Sequence, residues 1–228
     1  MKSYIYLFFT IITLSACSPA QKAKKLLTGG NVVQSNYYET IKYEKYQEWI
    51  IVEARINGST KKYRLLFDTG AISVVSQPLA DALNLPNVVE RTIGSSTNVK
   101  QTSVLSKLDS INLGGIDFLD IGVVVLDFNT SPELSCLGME VDGILGANAM
   151  KHGIWQVDYK NQEIHFTDDR SKCSFQENSY DVAFTTTRQG SPFVDMQFND
   201  ETYRIEFDTG KGGGIGLPYK KVKKTLET

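Results

Sequence analysis

The sequence predicts an all-β fold, a barrel or a sandwich. Short runs rich in β-branched residues follow one another closely, turn residues separate them, and only two short stretches look helical. The first clear strand begins at Trp49 with WIIVEARI, Asn57-Gly58-Ser59 supplies a turn, and KKYRLLF returns as a second strand. Further strands are expected at Val99–Ser106, Ser110–Leu113 and Ile121–Leu126, with turns at Gly114-Gly115 and from Asn129 to Pro132. Ile154–Tyr159 and Glu163–Thr167 read as a hairpin across Lys160-Asn161. The helical stretches are Pro78–Leu85, with proline near its start where helices accept it, and Ala147–Lys151.

Composition narrows the function classes. The chain has 228 residues, 41% of them hydrophobic, which is enough for a folded core. A net charge of −2 offers nucleic acid no basic surface, so no nucleic-acid partner is expected. Three cysteines are too few for a disulfide scaffold, and two histidines leave little for a metal site; no metal and no cofactor are expected.

The first segment reads as an address. Tyr4 to Ala16 is an apolar run of thirteen residues after Lys2, too short to span a bilayer and suited to a signal-peptide core. It ends Leu14-Ser15-Ala16-Cys17, an order that resembles the bacterial lipobox. Cleavage there would leave Cys17 as a lipidated N-terminus, anchored to a membrane of the cell envelope after export. Residues 17–48 then read as a tether, with Gly29-Gly30 ending any helix begun near Ala20. Its basic stretch Lys22-Ala23-Lys24-Lys25 is a solvated linker or a contact for anionic head groups. Cys136 and Cys173 are either a pair or two thiols.

The most informative feature is an internal repeat. Tyr63-Arg64-Leu65-Leu66-Phe67-Asp68-Thr69-Gly70 returns as Tyr203-Arg204-Ile205-Glu206-Phe207-Asp208-Thr209-Gly210, six of eight residues identical at an offset of 140. Pro78 and Pro218 keep the same offset. In each copy an apolar residue anchors the strand, and the aspartate emerges at its end. The Thr69 or Thr209 hydroxyl can fix the loop, and Gly70 or Gly210 permits a close turn. Two such motifs in a repeat suggest two carboxylates gathered about an approximate two-fold axis. Adjacent carboxylates cannot both ionise cheaply, so they share a proton. One is then a base for a bound water and the other an acid for a carbonyl, which is general acid–base peptide hydrolysis.

Phe67-Asp68-Thr69-Gly70-Ala71, followed later by Asp142-Gly143-Ile144-Leu145-Gly146, resembles the retropepsin-like aspartyl protease family. The resemblance runs from about Trp49 to Thr167. It implies an acid-protease β-barrel lobe with Asp68 catalytic and Thr69, Gly70 and Ala71 supporting its loop. It implies that Ile144, Leu145 and Gly146 form the strand beside that loop. It places a flap near Ile93–Asn98, with Gly94, Ser95 and Ser96 as its candidates. The partner implied is a peptide or protein substrate.

The second copy departs from the pattern. Lys211 stands where a small residue is usual, and Gly212-Gly213-Gly214 makes a loose loop. No apolar-apolar-Gly strand follows Asp208 within the sequence. The expected organisation is a signal peptide at 1–16, an anchored tether at 17–48, one lobe at 49–170 and, at 171–228, the incomplete start of a second similar lobe.

The expected function is an aspartic endopeptidase, with Asp68 paired either with Asp208 or with its own copy in a homodimer. The alternatives are a non-catalytic envelope lipoprotein that binds peptide in a protease-like cleft, and an inactive fragment of a two-lobed protease. Other features read as structural: His152 and His165 as imidazoles without a ligand set, Trp155 and Phe166 as hairpin core, Asp142 as a turn residue, and Lys220 to Lys224 as a solvated face. The glycines from Gly210 to Gly216 fail as a phosphate loop, because Lys211 has no Ser or Thr after it.

Overall fold

Alternating apolar residues draw the first half of the chain into a closed ring of strands. The computed structural model describes residues 18–94, 100–127, 140–175, 177–198 and 200–216. The strands that precede and open the ring are β1 (Asn31–Val32), β2 (Tyr38–Lys42), β3 (Glu44–Tyr46), β4 (Trp49–Ile56) and β5 (Lys62–Asp68). They are followed by β6 (Val74–Ser76), β7 (Val89–Gly94), β8 (Lys100–Leu113), β9 (Ile116–Leu126) and β10 (Gly143–Gly146). Neighbours run β9-β6-β10-β5-β4-β8, and β8 pairs back onto β9 to close a six-stranded mixed barrel. The β6–β9 and β10–β5 pairs are parallel, and the other pairs of the ring are antiparallel.

The interior is filled by Val52, Leu65, Phe67, Val75, Leu108, Phe118, Val123 and Leu145. Trp155 and Phe166, on β11 (Ile154–Asp158) and β12 (Glu163–Thr167), stack at 4.8 Å and extend that core, as the sequence led one to expect. The two strands expected at Val99–Ser106 and Ser110–Leu113 are one strand, β8, which pairs with β7 from Lys100 to Leu105 and with β9 from Val104 to Leu113. The helices are α1 (Pro19–Thr28), α2 (Gln77–Ala82) and α3 (Ala147–Met150), the last two close to where proline and glycine placed them.

Residues 19–46 are not the tether that their mixed charge suggested. Ser18 caps α1 in a capping box with Gln21, and Gly29 ends it. Ala23 and Leu27, four residues apart on one face, are buried with Leu66, Val74, Val89, Leu105, Val124 and Ile144. Next, β1 pairs with β9, β2 with β12 and β3 with β4. The lysines occupy the opposite, exposed face of α1, which is why composition read as a linker. This helix also explains β5: Leu65 and Phe67 point into the barrel while Leu66 points out beneath α1, so both faces are apolar.

The remaining strands, β13 (Phe184–Thr186), β14 (Pro192–Phe198) and β15 (Glu201–Glu206), form a separate three-stranded antiparallel sheet in the order β13-β14-β15. Phe184 and Phe198 of this sheet, and Phe207 and Ile215 after it, are exposed. The signal-peptide core and Cys17, the flap candidates Ser95 and Ser96, Cys136, and Pro218 with Lys220 to Lys224 lie outside the described residues. Gly94 ends β7 opposite Lys100, so the strands that frame the expected flap are present. No helix among the described residues is long and apolar enough to cross a membrane.

Candidate active site

The first aspartate is placed by a buried strand end. Phe67 is 1% exposed in the core, and β10 runs parallel to β5 with Gly146 opposite Asp68. Gly146 allows that approach, because a β-carbon there would collide with the backbone from Ala71 to Ser73. The turn after Asp68 is then tied to α3. Ala147 donates its amide to the Ala71 carbonyl at 2.8 Å, Ser73 Oγ accepts the Gly146 amide at 3.0 Å, and Asn148 Oδ1 accepts the Ser73 amide at 2.7 Å. Ser73 and Asn148 are buried polar residues that the sequence reading passed over; the nearby glycine strand was the only hint.

The second aspartate arrives from the other sheet. The Phe207 amide bonds the Pro192 carbonyl at 2.9 Å, and Asp208 follows it into the turn. The two Asp-Thr-Gly turns then interlock with approximate two-fold symmetry. The Thr69 amide donates to Thr209 Oγ1 at 3.1 Å, and the Thr209 amide to Thr69 Oγ1 at 3.0 Å. Thr69 Oγ1 donates to the Phe207 carbonyl at 2.6 Å, and Thr209 Oγ1 to the Phe67 carbonyl at 2.9 Å. The structure thus brings together Asp68, Thr69, Gly70, Asp208, Thr209 and Gly210.

The carboxylates are oriented by backbone amides. Asp68 Oδ1 accepts from Gly70 at 2.8 Å and Ala71 at 3.0 Å, and Asp208 Oδ1 accepts from Gly210 at 2.9 Å. Each glycine lies against the opposite aspartate: a β-carbon on Gly70 would sit 2.5 Å from Asp208 Cγ, and one on Gly210 would fall on the Asp68 carboxyl. Burial, then the neighbouring Asp208 charge and a hydrogen bond to its carboxyl, push Asp68 up to about 7, against the two amides that hold it down. Lys211 has no part in this; its ammonium lies against Gly216.

Three residues near the site were missed by sequence reading. Trp49 Nε1 donates to the Gly210 carbonyl at 2.9 Å, and Glu48 Oε2 accepts the Gly213 amide at 2.6 Å, so β4 and its lead-in hold the second turn. Glu206 is a third carboxylate, raised above its ordinary range by burial and then by Asp208. Its counterpart in the repeat is the apolar Leu66, and that break in identity was the available signal. Asp142 is the turn residue expected, its carboxylate accepting the Arg64 amide at 2.8 Å. One further group, Asp158, Glu163 and His165, gathers on the β11–β12 hairpin, where Lys42 pairs with Glu163 at 2.8 Å. Cys173 has no disulfide partner among the described residues.

Residues 52–149 match the family described as aspartyl protease. That match covers most of the barrel. The matched segment includes Asp68 and the β10 strand, whereas the second aspartate lies outside it. Among solved structures, the chain is similar to a retropepsin-like aspartic protease from Rickettsia conorii. That likeness has 16% identity and a TM-score of 0.42, and covers 58% of this chain and 92% of that one. No curated protein matches the chain.

Proposed function

We propose that the chain is an aspartic endopeptidase whose dyad is Asp68 with Asp208 of the same chain. The family match supports a protease-type function. The observation that carries the finer reading is the interlock of the two Asp-Thr-Gly turns, which sets the two carboxyls in contact and lifts Asp68 to about 7. A pair that shares one proton has both forms needed for hydrolysis. The ionised carboxylate takes a proton from a water held between the two, and the hydroxide equivalent adds to the scissile carbonyl. The protonated carboxyl donates to the carbonyl oxygen, and the proton taken from water goes to the leaving amine as the C–N bond breaks. Thr69 and Thr209 fix the turns, and Gly70 and Gly210 leave room for the carboxyls to approach.

The same-chain dyad is favoured over the homodimer, because the position facing Asp68 is occupied by Asp208. The proposal includes export and anchoring through Cys17, on the strength of the lipobox-like sequence alone. The experiment is cleavage of an unfolded protein mixture from pH 4 to 7 with and without a transition-state mimic of aspartic peptidases. Inhibition by the mimic is expected; activity that ignores it would refute the reading.

A further inference from the structure

We infer, on the reading that Asp68 and Asp208 form the dyad of a peptidase, that α1 walls off one side of the substrate cleft. Ala23 and Leu27 of α1 thereby set which side chains a substrate can carry beside its scissile bond. Side chains alternate along a strand, and Phe67 points into the core, so Asp68 and Leu66 share the opposite, outward face of β5. A substrate carbonyl must reach the Asp68 carboxyl across that face.

The face carries one apolar residue from each of six strands in a single cross-strand row. Leu66 lies opposite Ile144, Ile144 opposite Val74, Val74 opposite Val124, Val124 opposite Leu105 and Leu105 opposite Val89. The next row on the same face, toward the end of β5, holds Asp68 with Gly146 opposite it and, on β9, Gly122. An apolar row two residues from a catalytic carboxyl is the surface on which side chains next to the scissile bond would seat. Here it is already taken. Ala23 and Leu27 are buried in the same cluster as all six residues of the row, which are between 0% and 8% exposed. Ala71 and Ile72, just after the Asp68 turn, pack against that cluster as well.

The helix is built to stay on this face. The Leu26 carbonyl lies over Gly122, where a β-carbon would collide with it. Lys151 Nζ donates to the Thr28 carbonyl at 2.6 Å, and His152 Nε2 meets the Gly29 carbonyl at 3.2 Å, so the end of α1 is held from the α3 side. Directly after it, β1 pairs with β9. Pro19–Thr28 lies outside residues 52–149, so the wall belongs to this chain and not to the segment that matches the protease family. A substrate side chain directed at the row must be short or displace a docked helix. Peptides with small residues on that side of the scissile bond are therefore the class that the cleft takes.

The probe is a peptide of six alanines with a hydroxyl-bearing, non-hydrolysable unit in place of its central peptide bond, titrated into the whole chain by calorimetry. Leucine then replaces alanine at each position in turn. On one side of the central unit, leucine should bind at least about tenfold more weakly than alanine, the scale on which a pocket excludes an oversized side chain. Leu27→Ala, shown by circular dichroism to be folded, should bring the two peptides within about twofold of each other by strengthening the leucine peptide. A merely weakened fold would lower both alike. Leu27→Val makes the same comparison with a smaller cut where Leu27→Ala does not fold. Leucine binding as tightly as alanine at every position of the wild type, or an unchanged ratio in the folded variant, overturns the wall and leaves the proposed function standing. Failure of every peptide to bind the wild type overturns the proposed function, and the wall with it.

Discussion

Thr69 and Thr209 each hold the other's turn: every hydroxyl accepts the opposite amide, at 3.0 and 3.1 Å, and donates to the carbonyl before the opposite aspartate. This exchange joins the barrel to the second sheet at the point where the two carboxyls meet. The dyad's geometry and the association of the two halves therefore depend on the same four hydrogen bonds.

Replacing either threonine tests that dependence. Thr69→Ala removes an acceptor for the Thr209 amide and a donor for the Phe207 carbonyl, and should cost about 2–3 kcal/mol of stability. Activity should fall further than stability, because the carboxyls lose their register. Thr69→Ser keeps the hydroxyl and should restore most of both. Urea denaturation and peptide cleavage, measured on the same preparations, check this.

The raised Asp68 gives stability a definite pH dependence. In the unfolded chain this carboxyl titrates near 3.8 and in the folded chain near 7. The folded state therefore holds the extra proton between those values. Its contribution is fully present below 3.8 and is lost as pH rises through 7. Asp68→Asn removes the penalty, so it should raise the melting temperature at pH 8 and change it little at pH 3. The effect at pH 8 should be on the order of a few kcal/mol. Equal effects at both pH values would show that Asp68 is not raised.

Much of this was legible in the sequence because the repeat carries both strand and turn information. Six identical residues at a fixed offset pointed to Asp68 and Asp208 as a pair, with a homodimer left as the other arrangement, and the resemblance carried by Gly143 to Gly146 marked the strand beside Asp68. Residues 19–46 were illegible as folded structure. The inner face of α1 consists of few residues, Ala23 and Leu27 among them, set among lysines, and its burial depends on a long-range partner in Leu66 and Val124. Ser73, Asn148 and Trp49 were missed for a similar reason: each acts through contacts with residues distant in sequence, which no local pattern encodes.

That packing makes a prediction of its own. Leu27 is 3% exposed against the barrel, so Leu27→Ala should destabilise by about 2–5 kcal/mol. A tether residue would tolerate the change within about 0.5 kcal/mol. Chemical denaturation of the two proteins distinguishes these outcomes.

The glycines of the turns should tolerate no side chain. In Gly70→Ala and Gly210→Ala, the added methyl falls on the opposite carboxyl, which the amides of its own turn hold in place. Both variants should lose at least about 100-fold in cleavage rate, a loss within the range that acid–base groups supply. The change at the exposed Gly214, where nothing lies near, should cost little stability. Circular dichroism on each variant separates misfolding from loss of the dyad.

The central claim is that Asp68 and Asp208 of one chain form a single catalytic pair. The most direct measurement is the cleavage rate of an unfolded protein by the wild type, Asp68→Asn and Asp208→Asn at one pH between 4 and 7. Both variants should fall by about 100-fold or more, in line with removal of an acid–base group. Full activity in Asp208→Asn with loss in Asp68→Asn would place the second carboxyl in another chain, and activity surviving Asp68→Asn would contradict the account altogether.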